Sequence, residues 1–297
     1  MIRRDPQLLG ALLMLASSVF ILYFVCLDEP GGRYVVDAKP LDVEVEEPTV
    51  LFSLLVSAPT NLAERQAVRV SWAQHQSPTR HRYGFFIGVH GLSPELHANL
   101  TAENEKHADL VLLPDISESF GKLTAKVLAA MTWIDRHPTL RPRYIFKASP
   151  SSLTFWGDDD TFLRVEQMID ELLARPESTS YYWGYFDGRA PVKRSGKYAE
   201  MNWNLCDHYL PYALGGGYVL SRDLVAFIAL MGPQFRTFNN EDVSVGLWLS
   251  PLNITRRHDQ RFDTEWKSRG CLDEYIVLHK RSPADMYELR LKVSQCW

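Results

Sequence analysis

The sequence predicts an α/β domain behind a membrane anchor, and two observations support that prediction. From residue 50 onward, apolar segments typical of buried strands alternate with segments typical of helices. This alternation favours a mainly parallel sheet with helices on both faces. Ahead of it, the chain contains a long uncharged run. Its 297 residues are enough for one large domain or two small ones.

The uncharged run, residues 8–27, predicts a membrane-spanning helix. LLGALLMLASSVFILYFVCL is long enough to cross a bilayer, and two arginines precede it, so the positive-inside rule places the later residues in the lumen. We expect residues 1–7 as a cytoplasmic tail, 8–27 as a signal anchor, 28–49 as an acidic stem and 50–297 as a lumenal catalytic domain. A cleaved signal peptide is the alternative, but the run is longer than the apolar core of such peptides.

Three features bear on the compartment and on partners. Sequons at Asn99 and Asn253 fit a lumenal domain. Beyond the anchor, Cys206 and Cys271 are the pair that we expect to form a disulfide, because Cys296 lies at the chain end, although spacing alone leaves the connectivity open. The formal net charge of −4 gives no sign of a nucleic-acid partner.

The strand and helix segments follow in a regular order. Residues 50–58 form a continuous apolar run of the buried-strand type, and Asn61 can cap a helix that extends to about residue 74. Residues 83–89 are typical of a second strand, and a polar helix follows Ser93. The next segments are a strand at 109–113, a helix at about 120–137 and a strand at 143–148.

Three aspartates, Asp158, Asp159 and Asp160, follow the fourth strand after a gap. Ligands of open α/β sheets bind beyond the carboxyl ends of the strands, and aspartates suit Mg²⁺ or Mn²⁺, which neutralise a nucleotide diphosphate. A solvated turn that caps the following helix is the alternative. An acidic triplet alone favours the solvated turn, so the choice between a turn and a metal site depends on the surrounding motifs.

Several other segments of the chain match one family of enzymes. They are SAPTNLAERQAVRVSW, KLTAKVLAAMTWI, FKA with DDDTF, YYWGYFDGR, PYALGGGYVLS, NEDVSVGLWL and HDQRFDTEWKSRGC. With these motifs the chain resembles the β-1,3-galactosyltransferase family (glycosyltransferase family 31) over nearly all of residues 51–280. The resemblance implies a GT-A-type, Rossmann-like fold, a single-pass type II protein of the Golgi membrane, Mn²⁺ as cofactor and UDP-galactose as donor.

The resemblance also implies an acceptor. LCDHYLPYALGGGYVLS and RFDTEWKSRGC are most similar to family members that extend the glycosaminoglycan linker. This implies inverting transfer of galactose in β1,3 linkage to the galactose of Gal-β1,4-Xyl-O-Ser on a proteoglycan, with other linker glycosyltransferases as partners. One alternative is a β-1,3-transferase with another donor or acceptor, of N-acetylglucosamine or lactosamine type. Another is a non-catalytic or catalytically impaired relative.

The family pattern assigns the metal and part of the donor site. Asp158 and Asp160 match the ends of its DxD signature and would hold Mn²⁺ against the diphosphate. His279 matches a histidine that completes the coordination in related enzymes, with a surface histidine as the alternative. Asp159 would bind the donor sugar or ribose.

Three basic residues match the donor side of the family pattern. Arg65 and Arg69 lie four residues apart on the first helix, so they share a helix face, and that helix borders the nucleotide in the family. Lys126 would neutralise the departing UDP. For each of the three, a solvated surface position is the alternative.

The carboxylate pair Glu241–Asp242 opens a helix-like segment, and the resemblance implies that it supplies the catalytic base. Transfer from an α-linked nucleotide sugar to a β linkage inverts the anomeric centre, which a single in-line displacement achieves. One carboxylate must then take the proton of the acceptor hydroxyl. We favour Asp242, with Glu241 in reserve; capping of the helix is the alternative.

Aromatic residues and glycines are candidates for acceptor binding. Trp183 and Tyr185 could stack on a pyranose ring, with Trp203 and Trp266 as weaker candidates, and packing in the core as the alternative. Consecutive glycines would let the backbone approach a sugar closely, or would form a tight bend between strands. These glycines are Gly215, Gly216 and Gly217.

Residues 149–157, SPSSLTFWG, interrupt the family pattern, which runs KADDD without a break. Excising them joins KA to DDDTF, so an insertion from an exon-edge error is our favoured interpretation, with a real loop as the alternative. Pro150 argues against an uninterrupted interior strand. Because loop-closure entropy grows slowly with length, we expect the strand at 144–148 to form in either case and the insert to protrude near the donor pocket.

Overall fold

The computed structural model contains a seven-stranded mixed sheet and a small three-stranded sheet. The described residues are 48–74, 76–137, 139–148, 160–176, 179–196, 198–203, 206–270 and 272–291. In chain order the strands are β1 (Leu51–Val56), β2 (His81–Gly88), β3 (Leu110–Leu113), β4 (Tyr144–Ala148), β5 (Phe162–Leu163), β6 (Tyr181–Asp187), β7 (Tyr212–Ser221), β8 (Thr255–His258), β9 (Phe262–Asp263) and β10 (Val277–Leu278).

Helices cover both faces of the large sheet. They are α1 (Leu62–Val70), α2 (Pro94–His107), α3 (Leu123–Arg136), α4 (Val165–Leu173), α5 (Arg222–Met231), α6 (Glu241–Leu249) and α7 (Pro283–Leu291), with short 3-10 turns at Phe120–Lys122 and Gly232–Gln234. Across the described ranges, no helix has both the length and the apolar character needed to span a bilayer. The predicted signal anchor at 8–27 lies outside those ranges.

The first four predicted strands form, and they pair in parallel as expected. β1 lies between β2 and β4, and β3 extends the sheet beyond β2. The strand predicted ahead of the insertion is β4, so that expectation is confirmed. α1 ends at Val70, earlier than predicted, and Asn61 stands at its N-cap without a side-chain capping bond. Ser93 does cap α2 by accepting a hydrogen bond from the backbone N–H of Leu96.

The order of the large sheet, β3-β2-β1-β4-β7-β6-β8, defines its ligand-binding edge. The chain moves outward from β1 to β3 and then returns to β4 on the other side of β1. A reversal of this kind opens a crevice beyond the carboxyl ends of the adjacent parallel strands. β7 then adds antiparallel to β4, and β6 antiparallel to β7, which makes the sheet mixed.

Alternating side chains of β1 enter two separate hydrophobic cores. Leu51 and Leu55 pack into the core beneath α1, α4 and α7. Phe52, Leu54 and Val56 pack into the core beneath α3, α5 and α6. This two-residue period is that of a strand buried on both faces, which explains why the segment is apolar throughout.

Arg65 and Arg69, predicted to border the nucleotide, lie inside a buried ion-pair network. Arg65 Nε and Nη2 donate to the two oxygens of Glu103 at 2.8 and 2.6 Å. Arg69 donates to Glu103 at 2.7 Å and to both oxygens of Asp109 at 2.8 Å. Because both arginines are buried, the alternative of a solvated pair is wrong. Their guanidinium groups face carboxylates of α2 and of the turn before β3, and their part in donor binding stays a prediction.

Arg65 also fixes the loop that follows β1. Its Nη1 donates to the hydroxyl of Ser57 at 2.9 Å and to the backbone carbonyl of Ala58 at 2.6 Å. The network therefore connects α1, α2 and the loop at the ligand-binding edge. Its contribution to that edge is to hold the backbone in place.

Removing the carboxylate at the centre of this network should destabilise the fold. Glu103→Gln leaves two buried guanidinium groups facing a neutral amide, and breaking a buried ion pair costs about 3–5 kcal/mol. We expect a loss of that size in the free energy of unfolding from chemical denaturation. Glu105→Gln, an exposed position on the same helix, is the control and should change it by less than about 0.5 kcal/mol. A loss below 1 kcal/mol for Glu103→Gln would show that the network is not essential.

Candidate active site

Two consecutive glycines of β7 form the centre of the candidate site. A Cβ atom on Gly215 would lie 3.0 Å from carboxylate oxygens of both Asp242 and Glu241. A Cβ atom on Gly216 would lie 2.7 Å from the imidazole ring of His279. A side chain at either position would therefore displace these functional groups, which glycine leaves in contact with the strand. The close approach is made by the protein's own side chains, in contrast to the predicted approach of a sugar.

Asp160 and His279, two of the predicted metal ligands, are in contact. Asp160 Oδ1 lies 3.1 Å from His279 Nδ1, and both side chains are largely buried. Thr161 lies beside them and donates from its hydroxyl to the backbone carbonyl of Gly216 at 2.9 Å. The backbone N–H of Arg281 donates to the carbonyl of Asp160 at 2.8 Å. The segment after the insertion is therefore attached both to β7 and to the chain that follows β10.

The described part of this cluster suits a divalent metal ion. Carboxylate oxygens are ligands that Mn²⁺ accepts, and imidazole is the commonest metal ligand among side chains. Asp158 and Asp159 lie outside the described residues. Among the residues that the structure does describe, no group of three or more candidate ligands is assembled. The pair Asp160–His279 fits part of a Mn²⁺ site, and the role of Asp158 stays a prediction.

Glu241 is buried in an ion pair with Lys147, a residue that the sequence reasoning missed. Lys147 lies near the end of β4 and is fully buried, and its ammonium group contacts Glu241 Oε1. It also donates to the backbone carbonyl of Gly215 at 3.2 Å. The other oxygen of Glu241 accepts a hydrogen bond from the hydroxyl of Tyr218 at 3.0 Å. A lysine within the apolar run YIFKA is the signal that could have indicated a buried partner.

Asp242 differs from its neighbour in exposure and in hydrogen-bond partners. Its side chain is only partly buried, and it accepts hydrogen bonds from the backbone N–H groups of Gly215 and Val243, both at 2.8 Å. Burial raises the pKa of Asp242, and the charge of Lys147 together with the two N–H groups offsets part of that rise. Of the two candidate carboxylates, Asp242 therefore keeps an accessible oxygen with a raised pKa, while Glu241 is occupied by Lys147.

Lys126 lies at the ligand-binding edge of the sheet. Its ammonium group donates to the backbone carbonyl of Ser57 at 2.6 Å and to Glu118 Oε1 at 2.5 Å. The same carboxylate oxygen accepts the backbone N–H of Gly88 at 2.6 Å. Lys126 is buried, so the surface alternative is wrong. It connects the carboxyl ends of β1 and β2, which is where a nucleotide diphosphate would lie.

The aromatic candidates for acceptor binding separate by burial. Trp183 is fully buried and donates from Nε1 to Asp259 at 3.0 Å, so it offers no face to a sugar and its core-packing alternative holds. Trp203 is also buried. Tyr185 is partly exposed beside His258. Another of the sequence candidates, Trp266, is 79% exposed.

The remaining predicted residues lie on the surface or outside the described ranges. Asn99 is exposed on α2, and Asn253 is exposed before β8, so both sequons are accessible and their use stays a prediction. Cys206 is exposed, and Cys271 lies outside the described residues. The predicted disulfide between them therefore stays a prediction. Gly217 packs within the core, where an added Cβ would lie 3.0 Å from the ring of Phe146.

Comparison with known proteins gives one consistent family. A family model described as Galactosyltransferase matches residues 63–260. The chain is 44% identical over 240 residues to β-1,3-galactosyltransferase 6 of Mus musculus, which covers 79% of this chain and 70% of that protein. It is 35% identical over 248 residues to hydroxyproline O-galactosyltransferase GALT5 of Arabidopsis thaliana, which covers 80% of this chain and 34% of the plant protein.

Two further comparisons are more distant. The chain is 29% identical over 259 residues to N-acetyllactosaminide β-1,3-N-acetylglucosaminyltransferase 4 of Mus musculus, covering 83% of this chain and 71% of that protein. Among solved structures, the apo form of the bifunctional glycosyltransferase WbbM matches 68% of this chain and 38% of its own, at 12% identity and a TM-score of 0.34. A likeness at that score carries no argument about fold.

Removing Lys147 should destabilise the fold by exposing Glu241 to an apolar environment without a counter-charge. We expect Lys147→Met to lower the free energy of unfolding by about 3–5 kcal/mol, measured by chemical denaturation. The double variant Lys147→Met/Glu241→Met should recover most of that loss, because replacing a whole buried pair by apolar residues is often nearly neutral. Lys193→Met, at an exposed lysine, is the control. Equal losses in the single and double variants would contradict the pairing.

Proposed function

The chain belongs to the galactosyltransferase family, and from that premise we propose that it transfers galactose from UDP-galactose, with inversion, to the galactose of a Gal-β1,4-xylose primer in β1,3 linkage. The observation that carries the proposal is the convergence of Asp242 and His279 on two consecutive glycines of β7, with Asp160 in contact with His279. Asp242 meets Gly215, while His279 meets Gly216 and contacts Asp160. A base and a metal-binding pair at one edge of the sheet are what a metal-dependent sugar transfer requires.

In the proposed mechanism, Asp242 takes the proton from the O3 hydroxyl of the acceptor galactose. The C1–O3 bond forms as the bond from C1 to the UDP oxygen breaks, so the configuration at C1 inverts in one displacement. Asp160 and His279 would hold the metal ion together with Asp158. When bound, Mn²⁺ supplies positive charge to the diphosphate leaving group. Lys126 would add positive charge at the carboxyl ends of β1 and β2.

Glu241 has a positioning role in this proposal. It begins helix α6, and its ion pair with Lys147 fixes the first turn of that helix against β4. Asp242 is the next residue, so its oxygen is held at 2.8 Å from the backbone N–H of Gly215. The proposal extends to a GT-A-type fold and to a Golgi lumenal location behind the predicted anchor.

A transferase of the same linkage with another donor or acceptor is the second candidate. One relative is named as an N-acetyllactosaminide β-1,3-N-acetylglucosaminyltransferase.

The discriminating experiment offers UDP-galactose and UDP-N-acetylglucosamine to the protein, each with Gal-β1,4-xyloside and with lactosamine. Selective transfer from UDP-galactose to the xyloside supports the proposed function. Mn²⁺-dependent UDP binding without transfer to either acceptor would favour a non-catalytic relative, and a variant that lacks residues 149–157 would test whether the insert is the cause.

Replacing the proposed base should remove turnover while preserving donor binding. We expect Asp242→Asn to lower kcat by about 100-fold or more, because general base catalysis contributes on that order. Calorimetry with UDP and Mn²⁺ should give unchanged affinity. Glu241→Gln should instead lower the free energy of unfolding, since Lys147 then lacks its counter-charge. A mild effect of Asp242→Asn on kcat with a severe effect of Glu241→Gln would reverse the assignment.

The raised pKa of Asp242 gives the same proposal a pH signature. A base must be deprotonated to act, so kcat/KM should fall as pH decreases through the pKa of Asp242. Because burial raises that pKa, the inflection should lie above the ordinary aspartate value. The acidic limb should disappear from the residual activity of Asp242→Asn. An inflection at or below the ordinary value would contradict the assignment.

Replacing both ends of the acid cluster should abolish metal-dependent transfer. We expect Asp158→Ala/Asp160→Ala to lose activity and the Mn²⁺-dependent part of UDP binding, with the fold preserved by circular dichroism. Asp115→Ala, at an exposed aspartate, is the control and should behave like the unmodified protein. Full activity in the double variant would remove these residues from the site.

A further inference from the structure

Among the tryptophans that the structure describes, Trp266 stands out because its ring is open to solvent. It is 79% exposed, whereas Trp183 and Trp203 are buried. Aromatic side chains contribute strongly to binding when a partner covers them, so an exposed ring is a candidate contact for a ligand. Its neighbours determine what that partner would be.

The Trp266 ring is held on one side by Lys280. The ammonium group of Lys280 lies 3.9 Å from the ring centroid and also donates to the backbone carbonyl of Trp266. A lysine over an indole face is a cation–π contact, which favours one orientation of the ring. Because the residue remains so exposed, the opposite face is open.

Lys280, which contacts the Trp266 ring, directly follows His279 of the candidate metal site. Lys280 has a φ of 60°, in the left-handed region that non-glycine residues seldom adopt. Such strain is kept where the surrounding contacts require it. Burial lowers the pKa of Lys280, and the nearby charge of Asp160 offsets part of that lowering.

The loop that carries Trp266 is rigidly closed. Asp263 is buried at its start and accepts hydrogen bonds from the hydroxyl of Ser268 at 2.5 Å and from the backbone N–H of Arg269 at 2.9 Å. Arg269 forms an ion pair with Glu265 at 2.7 Å. These bonds join the two ends of the segment on either side of Trp266, which therefore presents its ring at low entropic cost.

Arg281 attaches this loop to the segment that contains Asp160. Its guanidinium group donates to the hydroxyl of Ser268 at 3.0 Å and to the carbonyl of Gly270 at 2.9 Å. Its backbone N–H donates to the carbonyl of Asp160 at 2.8 Å. One residue thus contacts both the Trp266 loop and the candidate metal site. The ring is fixed relative to that site.

Polar groups adjoin the same loop. The hydroxyl of Tyr185 donates a hydrogen bond to the carboxylate of Glu265, which raises the pKa of Tyr185. The guanidinium carbon of Arg269 lies 5.2 Å from the centroid of the Tyr185 ring. An open aromatic face beside carboxylate, guanidinium and phenol groups matches the chemistry of a pyranose. A galactopyranose presents one apolar face of C–H groups and a rim of hydroxyls.

We propose that Trp266 is the stacking platform for a pyranose unit of the acceptor glycan, a β-galactoside-terminated oligosaccharide. The inference rests on the proposed function and assigns the acceptor side of that site. Trp266 takes the stacking role for which the sequence favoured Trp183 together with Tyr185. Lys280 is a positioning residue in this assignment, because it acts on the sugar only through the ring of Trp266.

The test compares acceptor and donor kinetics in two variants of Trp266. We expect Trp266→Ala to raise the KM for Gal-β1,4-xyloside by about 3- to 10-fold at saturating UDP-galactose, since the sugar loses the aromatic surface on which it stacks. Trp266→Phe should keep most of the affinity. The KM for UDP-galactose, and the hydrolysis of UDP-galactose without acceptor, should stay within about twofold. Tyr287→Ala, at an exposed aromatic on α7, is the control.

Saturation-transfer NMR with Gal-β1,4-xyloside, in the presence of UDP and Mn²⁺, separates this inference from the proposed function. Contact in the unmodified protein that is lost in Trp266→Ala supports the platform, even if no transfer occurs and the proposed function fails. If Trp266→Ala transfers galactose with an unchanged KM for the acceptor, the stacking role of Trp266 is overturned and the proposed function stands. An equal rise in the donor KM, or no contact between the unmodified protein and the disaccharide, also overturns it.

Discussion

The ion pair between Lys147 and Glu241 is the interaction on which the candidate site depends. Two buried charges are tolerated only when each satisfies the other, so β4 and α6 must keep the alignment that brings them together. That alignment fixes the first turn of α6. Asp242 follows Glu241 directly and is thereby set against β7. The pairing also explains why the two adjacent carboxylates differ in their surroundings. Glu241 is occupied by Lys147, whereas Asp242 is only partly buried.

The glycines of β7 make this convergence possible. Gly215 offers its N–H to Asp242 and its carbonyl to Lys147, and Gly216 offers its carbonyl to Thr161. Any side chain at these positions would push the functional groups away from the backbone. Glycine within a strand costs about 0.5–1 kcal/mol relative to alanine. The fold accepts that cost here because the strand serves as a contact surface for three other segments.

The parts of the structure that could be predicted from sequence are those with a local cause. The apolar runs of β1 to β4 and the helices between them follow from short-range patterns, whereas the carboxylate pair was singled out through the resemblance to the family. The burial of Arg65 and Arg69 could not be predicted in this way. Spacing by four places two residues on one helix face but does not reveal whether that face is buried. Their partner Glu103 is 38 residues from Arg65 in the chain, so only the tertiary fold could identify it. The same limit applies to the tryptophans, whose burial depends on packing between distant segments.

The insertion after β4 is bounded on both sides by residues with strong contacts of their own. Before it, β4 pairs with β1 and β7, and Lys147 is fixed by Glu241. After it, Asp160 is held by the backbone of Arg281, and the carbonyl of Thr161 accepts a hydrogen bond from the indole N–H of Trp72 at 2.9 Å. Since both ends are fixed independently, extra length between them adds little closure entropy, and the fold can tolerate it. Asp160 and His279 keep their contact for the same reason. Any effect of residues 149–157 on the metal site is therefore expected to act through Asp158, whose role stays a prediction.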